Sequence, residues 1–170
     1  MKNKKLLTYV LIVAVVFVLF GFWFMFSSNS KKNALKEDMT IMPSATKTSD
    51  EITKNIVVEQ DFVCNIDTIS RLGVVFSYIY DSNSEIALEL LKGNEVLAKN
   101  TIPAKDVEDQ HRTFLTPDSL ITNVKNKQLK LRISCNDDTG FALMINENSN
   151  ATYKFGSSSL KGRICFVIEP

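Results

Sequence analysis

The apolar and polar positions divide the chain into an apolar run, a polar stretch and a long alternating region. Leu6–Phe26 contains no charged residue. A helix rises about 1.5 Å per residue, so this run forms a helix roughly 30 Å long, the thickness of a bilayer's hydrocarbon core. The pattern predicts a single N-terminal transmembrane α-helix over residues 6–26 that contacts the lipid bilayer.

Lysines predict the orientation of this helix. Lys2, Lys4 and Lys5 precede it and outweigh Lys31 and Lys32 on the other side, so residues 1–5 form a basic cytoplasmic tail and the C-terminal part lies outside the cell membrane. The run ends in bulky residues where a signal peptidase needs small ones, which favours an uncleaved signal anchor, although cleavage in the serine-rich stretch that follows remains an alternative.

Residues 27–54 have the composition of a flexible linker. They are rich in Ser, Asn, Lys and Thr, include Pro43, and show no period that would bury a face. A short helix over Lys32–Met39 is the alternative, since several good helix formers occur there. The sequence favours the solvated linker.

The period changes to two at residue 55, which predicts β-strands through to residue 170. The cleanest alternation is Leu129–Ser134, with Leu131 on the buried face and Arg132 on the wet face. Lys92-Gly93-Asn94 has the form of a hairpin turn. Only Pro103–Asp109 looks helical, as a single turn. The other predicted strands are centred on residues 56–64, 72–80, 86–90, 96–98, 141–145, 153–155 and 164–168.

Eight or nine short strands with polar turns indicate an all-β domain, a two-sheet antiparallel sandwich of jelly-roll-like type. Long connections at residues 101–111 and 116–127 suit Greek-key crossings. An immunoglobulin fold is the alternative, but it would place a tryptophan in the core, and Trp23 lies in the apolar run.

Charge and cysteine content exclude several classes of protein. Removing the three N-terminal lysines from 20 basic residues leaves 17 against 19 acidic ones, a net charge of −2, which argues against a nucleic-acid partner. Cys64, Cys135 and Cys165 lack metal-binding spacing, so three free thiols are expected, with Cys64–Cys135 the alternative pair. We expect no metal centre and no cofactor.

A resemblance lies in the first strands of the alternating region. Gln60-Asp61-Phe62, then Leu72-Gly73-Val74 with Phe76 and Tyr78, then the alternating Ile86, Leu88 and Leu90 resemble the opening of bacterial extracytoplasmic jelly-roll domains. Such domains occur in Gram-positive envelope proteins, often joined to polysaccharide-handling membrane proteins. The resemblance implies an accessory or binding role and transfers no catalytic residue.

Two polar loops are the candidate binding surface. Residues 81–85 and 136–140 carry the densest polar groups, and loops at the ends of a sandwich are free to carry recognition. We therefore expect a ligand to contact Tyr80, Asn83, Asp137 or Asp138. Strand parity aligns Tyr80 with core residues, so the alternative is that Tyr80 covers the edge of the core. Calcium binding by the two loops is left open.

Catalysis has little support in the sequence. His111 is the only histidine, no nucleophile motif accompanies it, and the alternating region has no tryptophan to line a sugar cleft. The expected function is therefore that of a membrane-anchored envelope protein that binds a protein or glycan partner without catalysis. The alternatives are a carboxylate-based accessory enzyme of cell-surface polysaccharide metabolism and a structural subunit of a membrane complex.

Overall fold

A computed structural model describes residues 35–80, 83–138 and 140–170 of this chain. Residues 34–170 form one compact unit. The predicted basic tail and transmembrane helix, residues 1–26, lie outside the described residues.

The described residues form twelve strands and one short 3₁₀ turn. The turn is Ala104–Asp106, directly after Pro103, where the sequence predicted a single helical turn. The strands are β1 Lys47–Thr48, β2 Val57–Val63, β3 Arg71–Ile79, β4 Glu85–Lys92, β5 Glu95–Pro103, β6 Arg112–Leu115, β7 Gln128–Cys135, β8 Phe141–Asn146, β9 Thr152–Phe155, β10 Ser158–Lys161, β11 Arg163–Ile164 and β12 Phe166–Glu169.

The strands build two antiparallel sheets. The first has the order β10-β9-β2-β7-β4-β5. The second has the order β1-β8-β3-β12, with β11 also paired to β8 and β6 to β3. The predicted all-β architecture of two antiparallel sheets is confirmed.

The core lies between the sheets because each alternating strand turns one side inward. Phe62 of β2 packs on Phe166 of β12 with ring centroids 5.1 Å apart, which joins the two sheets. Gln60 is also fully buried there, and its amide is satisfied by donating to the Thr152 carbonyl and accepting from the Ile164 amide. The strand predicted over residues 56–64 is present as Val57–Val63.

The sequence pattern did not predict three of the strands, namely β1, β6 and β10. Each has four residues or fewer, and none of the three alternates apolar and polar residues along its length. The predicted closing strand at residues 164–168 is divided at Cys165 into β11 and β12. The predicted hairpin turn is present, and Gly93 adopts φ +62°, a left-handed conformation that glycine adopts without steric cost.

The predicted linker is wrong for residues 35–54. Leu35 forms a parallel bridge with Phe62, and both Met39 and Ile52 are fully buried in the core. We call residues 35–41 the N-terminal strap. The strap bonds to both sheets, since the Leu35 amide donates to Asp61 and the Met39 carbonyl accepts from Ile168. Burial of three large apolar side chains explains why this polar stretch is ordered.

The outer face of the first sheet carries a row of alternating charge, which we call the charge ladder. It crosses five neighbouring strands in the order Lys154, Glu59, Arg132, Glu89 and Lys99, and each member lies opposite the next. The neighbouring side chains are 2.9–3.7 Å apart. Opposite charges on facing residues stabilise a sheet.

Candidate functional site

Tyr80 lies on the solvent side of the sandwich, where strand parity had placed it in line with the core. The register between β3 and β8 shifts between Phe76 and Tyr78, so Ser77 is an extra residue, a β-bulge. A bulge reverses the alternation beyond it. Ser77 is therefore buried at 1% exposure, whereas Tyr78 and Tyr80 are 51% and 55% exposed.

The two tyrosine rings form an exposed pair. Their centroids are 6.4 Å apart and their planes are inclined by 43°. Each ring offers an apolar face and a hydroxyl group to solvent, a combination that is common where proteins bind partners. The bulge thus turns both rings outward at the same end of β3, and Tyr78 joins the predicted Tyr80 as a candidate contact residue.

The structure brings the two predicted loops side by side. The Tyr80 amide donates to the Gly140 carbonyl at 2.8 Å, and Asn136 is bonded to Glu85 through both backbone and side chain. Asn83 is exposed in the first of these loops. The predicted residues from the two loops therefore belong to one end of the sandwich.

A third segment, residues 50–54, packs beside these loops. The Lys54 amide donates to the Asp137 carbonyl at 2.7 Å, and the Lys54 ammonium lies 2.8 Å from the Asp138 carboxylate. The hydrogen bond from the Lys54 ammonium to the Asp138 carboxylate raises the pKa of Lys54. Because the Lys54–Asp138 pair is solvent-exposed, it contributes little to stability. Asp138 thus already has a cationic partner, whereas Asp137 binds through its side chain to the Asp138 amide.

Gly140 allows this close approach of the segments. A Cβ atom at Gly140 would lie 1.8 Å from the carbonyl oxygen of Ile52, far inside van der Waals contact. No L-residue with a side chain fits there unless the backbone moves. Glycine is therefore required at the point where the second loop meets residues 50–54.

A fourth segment, residues 104–111, completes this end of the sandwich. The Gln110 amide donates to the Phe76 carbonyl at 2.8 Å, next to the bulge, and the Ala104 amide donates to the Ser84 carbonyl. His111 is exposed, and its Nδ1 lies 3.6 Å from the Glu108 carboxylate. The sequence predicted a turn here but gave no signal that it would lie beside the tyrosines.

Together these segments carry a strong negative charge. We call residues 50–54, 78–80, 83–85, 104–111, 136–138 and 140 the loop end. Eight carboxylates and two lysines give it a formal charge of −6, whereas the other described residues hold 13 basic and 10 acidic groups, a charge of +3. The carboxylates are Asp50, Glu51, Glu85, Asp106, Glu108, Asp109, Asp137 and Asp138. The fold therefore separates charge that is nearly balanced along the sequence.

The three cysteines lie in buried positions of the sandwich. Cys64, Cys135 and Cys165 are buried and form no disulfide with one another, as predicted, and burial raises the pKa of Cys165 to about 11. A thiol of that kind is a poor nucleophile and metal ligand at neutral pH. Among the described residues, no group of three or more metal-ligating side chains converges.

The described part of the chain contains no helix that is long and apolar enough to cross a bilayer, and the predicted span lies outside that part.

The loop end has the features of a recognition surface, with exposed aromatic rings, acidic side chains and a rigid scaffold beneath them. No protein-family model matches this sequence, and a comparison with curated proteins finds no significant match.

Proposed function

We propose that this chain is a single-pass membrane-anchored protein of the cell envelope, whose sandwich binds a protein or glycan partner at the loop end without catalysing a reaction. The observation that carries the proposal is the bulge at Ser77, which turns Tyr78 and Tyr80 into solvent. Exposing two large aromatic rings sacrifices burial, so their position is better explained by contact with a partner than by folding.

The anchoring part of the proposal rests on the sequence. Leu6–Phe26 is long enough to span a bilayer, and the lysines before it favour a cytoplasmic tail with the sandwich outside.

We also propose that the sandwich is jelly-roll-like. In support, the chain passes repeatedly from one sheet to the other between β2 and β9.

A carboxylate-based enzyme is less well supported than a binding domain. A catalytic acid of that class is a carboxyl group whose surroundings keep it protonated, and a sugar cleft surrounds it. At the loop end Asp138 is exposed and ion-paired with Lys54, and Glu85 is exposed and bonded to Asn136. A structural subunit would instead make its main contacts through the apolar run.

Site-specific crosslinking tests the proposal. A photoreactive amino acid replaces Tyr80 in the full chain, expressed in the cells that naturally make it. Val96 serves as the matched control because it is 50% exposed and lies beside the β4–β5 turn, at the opposite end of β4 from Glu85. We expect a discrete adduct, to a protein or a glycan, from position 80 and not from position 96. Adducts that form only from positions in the apolar run would favour the structural subunit instead.

A further inference from the structure

The charge and the aromatic pair of the loop end together indicate what kind of partner it accepts. We propose that the partner is a protein that presents a cationic, lysine- or arginine-rich segment, which lies across Tyr78 and Tyr80 and among the surrounding carboxylates. This inference rests on the proposed binding function and narrows it to one class of ligand.

The first reason is that most of the negative charge at the loop end is not neutralised by ion pairs within the part of the chain that the structure describes. Among the described residues, Asp138 is the loop-end carboxylate that is ion-paired with a lysine, Lys54, and Glu108 lies 3.6 Å from His111, a residue that is charged only when it is protonated. Asp50, Asp106 and Asp109 are exposed and form no ion pair with a described residue. Like charges held close together repel, and an approaching cation relieves that repulsion.

The charge ladder provides the comparison within the same molecule. Its two carboxylates, Glu59 and Glu89, are each placed opposite Arg132 and a lysine of a neighbouring strand, so their charge is compensated in the fold. The two ladder carboxylates are thus paired within the fold, whereas Asp50, Asp106 and Asp109 at the loop end are not ion-paired with a described residue. This contrast supports a positively charged partner at the loop end, by charge complementarity.

The second reason is the tyrosine pair. The electron-rich face of an aromatic ring attracts ammonium and guanidinium groups within about 6 Å of its centre. Arg163 already lies over a buried ring in this chain, 5.5 Å from the centroid of Phe166. Tyr78 and Tyr80 offer two exposed rings at the end of the sandwich that carries the carboxylates, so a segment with several basic side chains can contact both the rings and the acidic groups. A neutral sugar would stack on the rings and its hydroxyl groups would donate to carboxylates, but it would leave their negative charge uncompensated.

Fluorescence anisotropy with a labelled oligolysine peptide tests this inference on the full chain in a neutral detergent. We expect binding that weakens at least about tenfold between low salt and 150 mM salt, because exposed charges are screened. The double variants Tyr78→Leu/Tyr80→Leu and Asp106→Asn/Asp109→Asn should each weaken binding by about fivefold or more. All four positions are exposed, so both variants should keep their fold.

The matched control is Asp67→Asn/Asp118→Asn, which removes two exposed carboxylates outside the loop end. We expect it to change affinity less than about twofold. Equal weakening by the control and by the loop-end variants would overturn the inference, as would binding of a neutral oligosaccharide and not of oligolysine. If Tyr80 crosslinks to a partner through a non-basic segment, this inference fails and the binding function stands. If oligolysine binds as expected but no adduct forms from position 80, the binding function fails.

Discussion

The Arg163 guanidinium donates to the Glu37 carboxylate at 3.0 Å, joining two residues that are 126 positions apart. Arg163 is only 3% exposed, and its remaining bonds go to the carbonyl groups of Asp38, Ile41 and Phe166. One buried side chain therefore fastens the N-terminal strap to the sandwich. Its positive charge is compensated by Glu37 and by carbonyl oxygens that point at it.

Replacing this arginine should loosen the strap. We expect Arg163→Ala to lower the free energy of unfolding of residues 34–170 by about 2–3 kcal/mol, because it removes four hydrogen bonds and leaves a cavity. Lys36→Ala, at an exposed position within the strap, should cost about 0.5 kcal/mol or less. Urea unfolding measures both. Trypsin should also cut after Lys36 faster in Arg163→Ala than in the wild type, and equal cleavage would mean that the arginine does not hold the strap.

Adjacent residues of β7 should differ in their effect on stability. Leu131 is fully buried, so Leu131→Ala should cost about 2–5 kcal/mol through lost burial and a cavity. Arg132 lies on the solvent face but between Glu59 and Glu89, whose side chains are only 15% and 14% exposed. Arg132→Ala should therefore cost about 1 kcal/mol, more than an ordinary surface change. Equal losses in urea would contradict this assignment of the two faces.

The charge ladder should make stability depend on pH. Burial by itself raises the pKa of Glu59, but hydrogen bonds and charges from Lys130 and Arg132 outweigh burial and lower the pKa below its ordinary value of 4.5. A carboxyl whose pKa is lowered on folding contributes stability above its unfolded pKa and loses it as the pH falls through the folded pKa. The wild type should therefore be more stable than Glu59→Gln near neutral pH.

This difference between the wild type and Glu59→Gln should shrink steadily as urea titrations are repeated below pH 4.5. Asp118→Asn is the control, because Asp118 is exposed and lies outside the ladder. A difference that does not change with pH would show that the ladder charges contribute nothing.

The three cysteines should be unreactive in the folded protein. Burial raises the pKa of Cys64 and raises that of Cys165 to about 11, so their reactive thiolate forms are scarce at pH 8. We expect no alkylation of the folded chain within minutes and three alkylated thiols after unfolding without a reductant. Mass spectrometry checks both. A peptide crosslinked through Cys64 and Cys135 would contradict the assignment.

The apolar run and its flanking lysines predict an uncleaved anchor with the sandwich outside the cell. Protease added to intact protoplasts should remove the sandwich and leave a fragment that contains residues 6–26 in the membrane. As a control, protease is added to protoplasts that have been lysed. Comparing digestion of the chain in lysed and intact protoplasts shows whether the membrane limits the access of the protease. Protection of the sandwich, or a mature chain that begins near Asn29, would refute this topology.

Local pattern was sufficient to predict most strands. Leu129–Ser134 alternates clearly because one side of β7 faces the core and the other faces water, and that difference is recorded in the residues themselves. The hairpin at Gly93 was predictable for the same reason, since a tight turn needs a residue that accepts positive φ. The position of Asp137 and Asp138 in an end loop followed from the turn residues between two strands.

The candidate site depended on contacts that no local pattern contains. Tyr80 points to solvent because β3 gains one residue relative to β8, and a bulge is a property of the strand pair rather than of either strand. Residues 104–111 join the site through backbone bonds to Phe76 and Ser84, which are distant in sequence.

The sequence by itself thus determined which segments alternate, where the turns fall and which residues carry charge. Only the tertiary structure decided which way the tyrosines face, that the strap is ordered, and that eight carboxylates gather at one end. The physical reason is the separation along the chain over which each interaction acts. Period and turn chemistry act over a few residues, whereas strand register, the Arg163–Glu37 bond and charge clustering depend on packing between segments far apart in the chain.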